Sequence, residues 1–127
     1  MVRIADDVFG WGDEYDTYSN ERILVRGAFP PDDGIDALLR AAARFMLVDE
    51  TGVEHPPGAW DVVPHDEDGD ELYTPNYVSD PEPVPGGLRL YVDCKGVIDP
   101  RMRARFLQIL REELASLGDD VDVEVAD

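Results

Sequence analysis

The chain is expected to fold as an α+β protein, a two-layer sandwich of one sheet and two helices, on three observations. Two segments alternate apolar and polar residues, and each is followed by an apolar repeat at helical spacing. A third alternating segment closes the chain. Between the two strand–helix units runs a proline-rich stretch with only weak strand patterning.

The first unit begins at Glu21-Arg-Ile-Leu-Val-Arg-Gly-Ala-Phe29. Ile23, Val25, Gly27 and Phe29 share one face, while Arg22, Leu24 and Arg26 take the other, the two-residue period of a strand. Pro30-Pro31 ends it. Asp32 or Asp33 is placed to cap the next element, and Asp36 lies near the positive end of its dipole. Ile35, Leu38, Leu39, Ala42 and Phe45 or Met46 then predict a helix from Gly34 to about Phe45 or Leu47. Met46 to Val53 also fits a short strand and turn.

The middle is read as Pro56-Pro57-Gly58 turn, a short strand at Trp60 to Val63, and a polar turn at Asp66 to Asp70. Leu72 to Val78 is read as extended and Pro81 to Gly87 as loop. Together these make a long acidic loop over about 55–87. A connection of that length inside a compact domain is functional or mobile.

The second unit is sharper. Leu88, Leu90, Val92 and Cys94 alternate with Arg89, Tyr91, Asp93 and Lys95. Asp99 stands as N-cap, Pro100 at the first helical position and Gly118 as a stop. Met102, Phe106, Ile109, Leu110, Glu113 or Leu114, and Leu117 form the helix stripe. Val121, Val123 and Val125 then alternate with Asp122 and Glu124.

Strand, helix, one or two weak strands, strand, helix, strand is the order of a ferredoxin-like βαββαβ sandwich with both helices on one sheet face. In that topology the first strand lies between the third and the last. Arg22 and Arg26 then sit beside Asp122 and Glu124 on one flank and Asp93 on the other. Opposite charges on neighbouring strands contribute about 0.2–1 kcal/mol per pair.

At 127 residues the chain has the length of one domain, 1–127, able to bury roughly two-thirds of its unfolded surface. Residues 1–20 are read as an acidic and aromatic arm whose rings cover a core edge, and 21–127 as the sandwich. The arm holds Phe9, Trp11, Tyr15 and Tyr18 among Asp6, Asp7, Asp13, Glu14 and Asp16, and Gly10 and Gly12 break any helix there.

Charge bounds the partners. Nineteen Asp and ten Glu oppose ten Arg and one Lys, a net charge of −18. The 44 residues from Phe45 to Leu88 hold eleven carboxylates and no lysine or arginine, with His55, His65 and seven of the ten prolines. Such a surplus argues against nucleic acid, whose affinity comes from cations displacing counterions, and against anionic membrane surfaces. An apolar fraction of 43% is too high for a disordered acidic tail. One cysteine forms no internal disulfide, the N-terminus has no secretory apolar run, and no segment has the length of a membrane span. A soluble cytoplasmic protein is expected.

Candidate chemistry is sparse. His55, His65, Asp66, Asp68, Asp70 and Glu71 offer imidazole and carboxylate ligands. The run Asp66 to Glu71 nevertheless departs from a calcium loop: its glycine is fourth, and Tyr77 occupies the twelfth position. The histidine spacing matches no standard zinc arrangement. No cofactor or metal is therefore expected. Cys94 points into the core, where Asp93 would raise its pKa, the wrong direction for a nucleophile. Arg101, Arg103 and Arg105 open the second helix against its dipole. They are expected to pair with the chain's own carboxylates rather than grip an anion. No P-loop, dinucleotide fingerprint or G-x-S-x-G is present, and no catalytic residue is assigned.

The leading expectation is a small, non-enzymatic protein-binding module of inhibitor or immunity type that meets a basic protein partner. Its candidate binding residues are Trp11, Trp60, Asp66, Asp68, Asp70, Glu71, Tyr73 and Tyr77, aromatic anchors among charge, since Trp and Tyr dominate interface hot spots. The alternative is a small enzyme or ligand-binding domain. Its site would lie between sheet and long loop, with His55 or His65 as acid or base and an arginine as anion clamp. A third reading takes the acidity as salt adaptation. An edge strand also leaves room for a homodimer.

Overall fold

The computed structural model describes residues 1–10, 18–49, 51–58, 67–69, 76–95, 100–118 and 120–126. They form a six-stranded mixed sheet and two helices, an α+β arrangement. In chain order the elements are β1 (Val2–Ile4), β2 (Tyr18–Gly27), α1 (Pro31–Phe45), β3 (Tyr77–Val78), β4 (Glu82–Val84), β5 (Gly87–Lys95), α2 (Pro100–Leu114) and β6 (Val121–Val125).

Across the sheet the order is β1-β6-β2-β5, with β3 and β4 in line along the far side of β5. β1 runs parallel to β6, and all other neighbours are antiparallel. The alternation read from sequence decides which face is buried. Ile23, Val25, Leu88, Leu90, Val92, Cys94, Val121 and Val123 are buried beneath the helices. Ala37, Leu38, Ala41 and Phe45 of α1, and Met102, Phe106, Ile109, Leu110 and Leu114 of α2, cover them.

Four expectations need correction. The first twenty residues are more than an arm. Val2–Ile4 adds an edge strand, β2 begins at Tyr18 rather than Glu21, and Val8 and Phe9 are fully buried. Phe9 packs edge-on to Phe106 at 5.2 Å and to Phe45 at 6.0 Å, joining the N-terminal segment to both helices. Pro81 to Gly87 is not loop, because Glu82–Val84 pairs with β5 and Gly87 begins that strand. Pro85-Gly86 makes the tight turn between them, and Gly86, at φ +90°, supplies the left-handed position such a turn requires. Neither Asp32 nor Asp33 caps α1. Pro30 holds the cap position without a side-chain bond, and both aspartates lie in the first turn, where they complement the dipole.

The fourth correction concerns the charge pairs on the open sheet face. Arg26 bonds Glu124 at 2.8 Å and Arg3 bonds Asp122 at 2.7 Å, yet Arg22 stands opposite Tyr91 and lies over its ring at 5.2 Å. The pairing with Asp93 is not made. The strand expected at Trp60 to Val63, the Asp99 cap and most of the acidic loop lie outside the described residues.

Glu21 stands on the inward side of β2, in step with Ile23 and Val25, and accepts the Phe9 backbone N–H at 2.8 Å. Burial pushes its carboxyl up to about 7 from an ordinary 4.5, with Asp7 adding to the rise. The Phe9 bond and Arg103 oppose it. A raised folded value means that the native state holds a proton which the unfolded chain releases. The stability contributed is complete below about 4.5 and is lost as the pH climbs through about 7. Glu21→Gln is expected to stabilise the protein by about 1–2 kcal/mol at pH 8, discounted for partial solvent access, and to do nothing at pH 4.5. Urea denaturation at both pH values checks this. An equal gain at both would mean that the carboxyl titrates normally.

Candidate functional site

After Phe45, α1 unwinds through two tight bonds, Leu47 N–H to the Arg44 carbonyl and Val48 N–H to the Phe45 carbonyl. The chain then turns on Asp49. Its Oδ1 accepts the backbone N–H groups of Thr51 at 2.8 Å and Val53 at 3.1 Å, together with the Thr51 hydroxyl at 2.7 Å. Local side-chain bonding of this kind competes with regular structure and selects a turn. Gly52 sits at φ +86°, where an added Cβ would lie 2.5 Å from the Arg101 carbonyl oxygen, so only glycine allows the loop to rest on α2. Arg105 fastens it there, donating from Nε to the Gly52 carbonyl at 3.1 Å.

The other Asp49 oxygen meets His55 Nε2 at 2.8 Å. Asp49 is 4% exposed. Burial alone would raise its carboxyl, but bonds from Thr51, His55 and Val53 outweigh that and hold it below the ordinary 3.8. An ionised carboxylate only accepts, so Nε2 carries the hydrogen and donates. His55 borders an open cleft of about 580 Å³ lined also by Arg44, Leu47, Glu54, Pro56, Pro57 and Arg105.

A histidine oriented by a buried carboxylate is one half of an acid–base arrangement. The cations of this cleft, however, are already engaged. Arg44 makes a two-pronged pair with Glu54 at 2.9 Å on each arm and also reaches Glu113 and Glu112. Cys94 is buried on the sheet, and burial followed by the charge of Asp93 pushes its thiol up to about 12. Among the described residues, no three His, Cys, Asp or Glu side chains gather closely enough to hold a metal ion.

Arg103, near the start of α2, corrects another expectation. Arg103 does not pair with a carboxylate but donates to the Val8 carbonyl at 3.0 and 3.1 Å and the Asp6 carbonyl at 2.9 Å, tying down the N-terminal segment. Of the residues singled out as binding candidates, Tyr77 is on β3, 61% exposed, with its ring 6.3 Å from that of Tyr91. Asp68 stands exposed in the turn at 67–69. Trp11, Trp60, Asp66, Asp70, Glu71, Tyr73 and His65 lie outside the described residues.

Two polar anchors escaped the sequence reading. Asn76, 5% exposed, donates to the Phe45 and Val48 carbonyls and so caps the frayed end of α1. Asp49 carried a signal, since Asp-x-Thr-Gly is turn chemistry, but the apolar Met46-Leu47-Val48 before it suggested a strand.

Compared with protein-family models, curated proteins and solved structures, the chain matches none. Among the described residues no helix is long and apolar enough to cross a membrane.

Asp49→Ala removes the acceptor for three donors and the histidine's partner, and is expected to cost about 2–4 kcal/mol at pH 7 in urea denaturation. Because the folded carboxyl lies below its ordinary 3.8, this contribution is present at neutral pH and fades as acid brings the pH through that depressed value. A loss under about 0.5 kcal/mol at pH 7 would show that the loop is held by something else.

Proposed function

We propose that the protein is a small acidic binding module of inhibitor or immunity type whose acidic middle segment meets a basic protein partner. The observation that carries this is where the cations go. Arg3, Arg26, Arg40, Arg44 and Arg89 are held by carboxylates, and Arg103 and Arg105 by backbone carbonyls. Into the cation-free stretch Arg44 reaches Glu54, Arg89 reaches Glu82 and Arg105 reaches the Gly52 carbonyl. Glu67, Asp68 and Asp80 within that stretch are exposed. A field of one sign displayed from a rigid scaffold accelerates encounter with the opposite sign and rejects its own, nucleic acid and anionic membranes included.

The scaffold in this reading is a ferredoxin-like sandwich, with β1 as an added edge, in a cytoplasmic protein. Self-association by strand pairing would use β1, because Pro81, Pro83 and Pro85 break the opposite edge.

A second reading, a small-molecule site, is favoured by the Asp49–His55 pair at its cleft. It ranks lower because an anionic ligand would have to displace the carboxylates already on Arg44.

The test is calorimetric titration with an octa-arginine peptide at low and at physiological salt. Replacing Asp66, Asp68 and Asp70 together by Asn is expected to weaken binding about tenfold at low salt and to flatten its salt dependence. Unchanged affinity in that variant would remove the acidic segment from the interface.

A further inference from the structure

We propose that the open sheet face carries a receiving site for one arginine side chain of a partner, built from Asp93, Tyr91 and Tyr77. The proposal rests on the reading that the partner is basic, and adds the place where a single guanidinium is held.

Asp93 lies on the solvent side of β5, with Tyr77 of β3 and Asn20 of β2 as its backbone register partners. Its Oδ1 is buried, and among the described residues no donor reaches it. Buried carboxylate oxygens are almost always bonded, so an orphan in the middle of a sheet face marks a missing partner. A carboxylate only accepts, so that partner must be a donor, and charge makes a cation the favoured one.

The surroundings narrow it further. Tyr91, two residues earlier on the same face, already carries the Arg22 guanidinium at 5.2 Å from its ring centre. Tyr77 meets Tyr91 edge-on at 6.3 Å and is 61% exposed on a strand of only two residues. A guanidinium is planar, lies flat on an aromatic ring and donates from its edge to a carboxylate, which an ammonium does less well. Arg22 shows that this face accepts a guanidinium over an aromatic ring. In this proposal Tyr77 is the exposed wall that an incoming side chain moves aside and then packs against. Among the described residues no three His, Cys, Asp or Glu side chains gather at Asp93, so the site favours a guanidinium over a metal.

The experiment is a ¹H–¹⁵N correlation titration of the whole protein with N-acetyl-arginine amide, a single guanidinium, with N-acetyl-lysine amide as comparison. Saturable shifts are expected at the amides of Tyr77, Ser79, Tyr91 and Asp93, larger for arginine than lysine and absent in Asp93→Asn. Asp93→Asn is also expected to melt no lower than the wild type, because the buried Oδ1 has no donor to lose, and to bind octa-arginine about tenfold more weakly. Tyr77→Ala should weaken the single-arginine shifts while keeping the fold. Shifts that survive Asp93→Asn, no saturable shift in the wild type, or a melting point lowered by several degrees in Asp93→Asn would each overturn the proposal. These outcomes are separate from those of the Asp66, Asp68 and Asp70 variant. The acidic segment can fail as an attractor of octa-arginine while the single-arginine shifts persist, and the reverse.

Discussion

A chain with 29 carboxylates has only ten arginines and one lysine, and the placement of its arginines organises the molecule. Seven of the guanidinium groups stand at seams between elements. Arg3 joins β1 to β6, Arg26 joins β2 to β6, and Arg89 joins β5 to β4. Arg40 and Arg44 bridge α1 to α2, and Arg44 also holds the turn after α1 through Glu54. Arg103 and Arg105 bind carbonyls of the N-terminal segment and of the Asp49 loop. Exposed pairs of this kind contribute little individually. Their value here is in position, since each also lowers the repulsion where two acidic elements must touch.

Beneath the seams, apolar packing supplies the stability. Phe9, Phe45 and Phe106 form one cluster, so the N-terminal segment, α1 and α2 share a single core. Entry of the N-terminal segment has an electrostatic cost. To bury Phe9 the chain brings its backbone N–H against Glu21 and places that carboxyl where water reaches it poorly. The acidic surplus thus reaches the edge of the core itself.

Much of this was legible in the residues, for physical reasons that differ by element. β5, α2 and β6 follow unbroken alternation or a helical stripe, punctuated by Pro100 and Gly118, and α1 ends at Phe45 as its stripe predicts but begins at Pro31, ahead of the expected Gly34. β4 was hidden because Pro81, Pro83 and Pro85 argue against strand. Pro83 is tolerated there because an edge strand donates to one side only. β1 is too short for a period to show, and Val8-Phe9 is apolar without any period, so the buried segment resembled an arm. The charge pairs on the sheet followed the expected face but not the expected register. Arg22 falls opposite Tyr91, one step from Asp93, and takes the ring instead. Tyr77, recognised in the sequence as a candidate anchor, is exposed on β3. Asp49, Asn76 and the orphaned oxygen of Asp93 were not recognised, because their roles depend on neighbours distant in sequence or on a turn that only coordinates reveal.

The central claim is that net repulsion survives after the arginines are placed. A thermal melt of the wild type over potassium chloride from about 20 mM to about 1 M tests it most directly, because the screening length falls across that range from tens of ångströms to about 3 Å. The account predicts a melting temperature that climbs by several degrees and then levels off. A flat or falling curve would mean that attraction within the chain already balances its charge, and would contradict it.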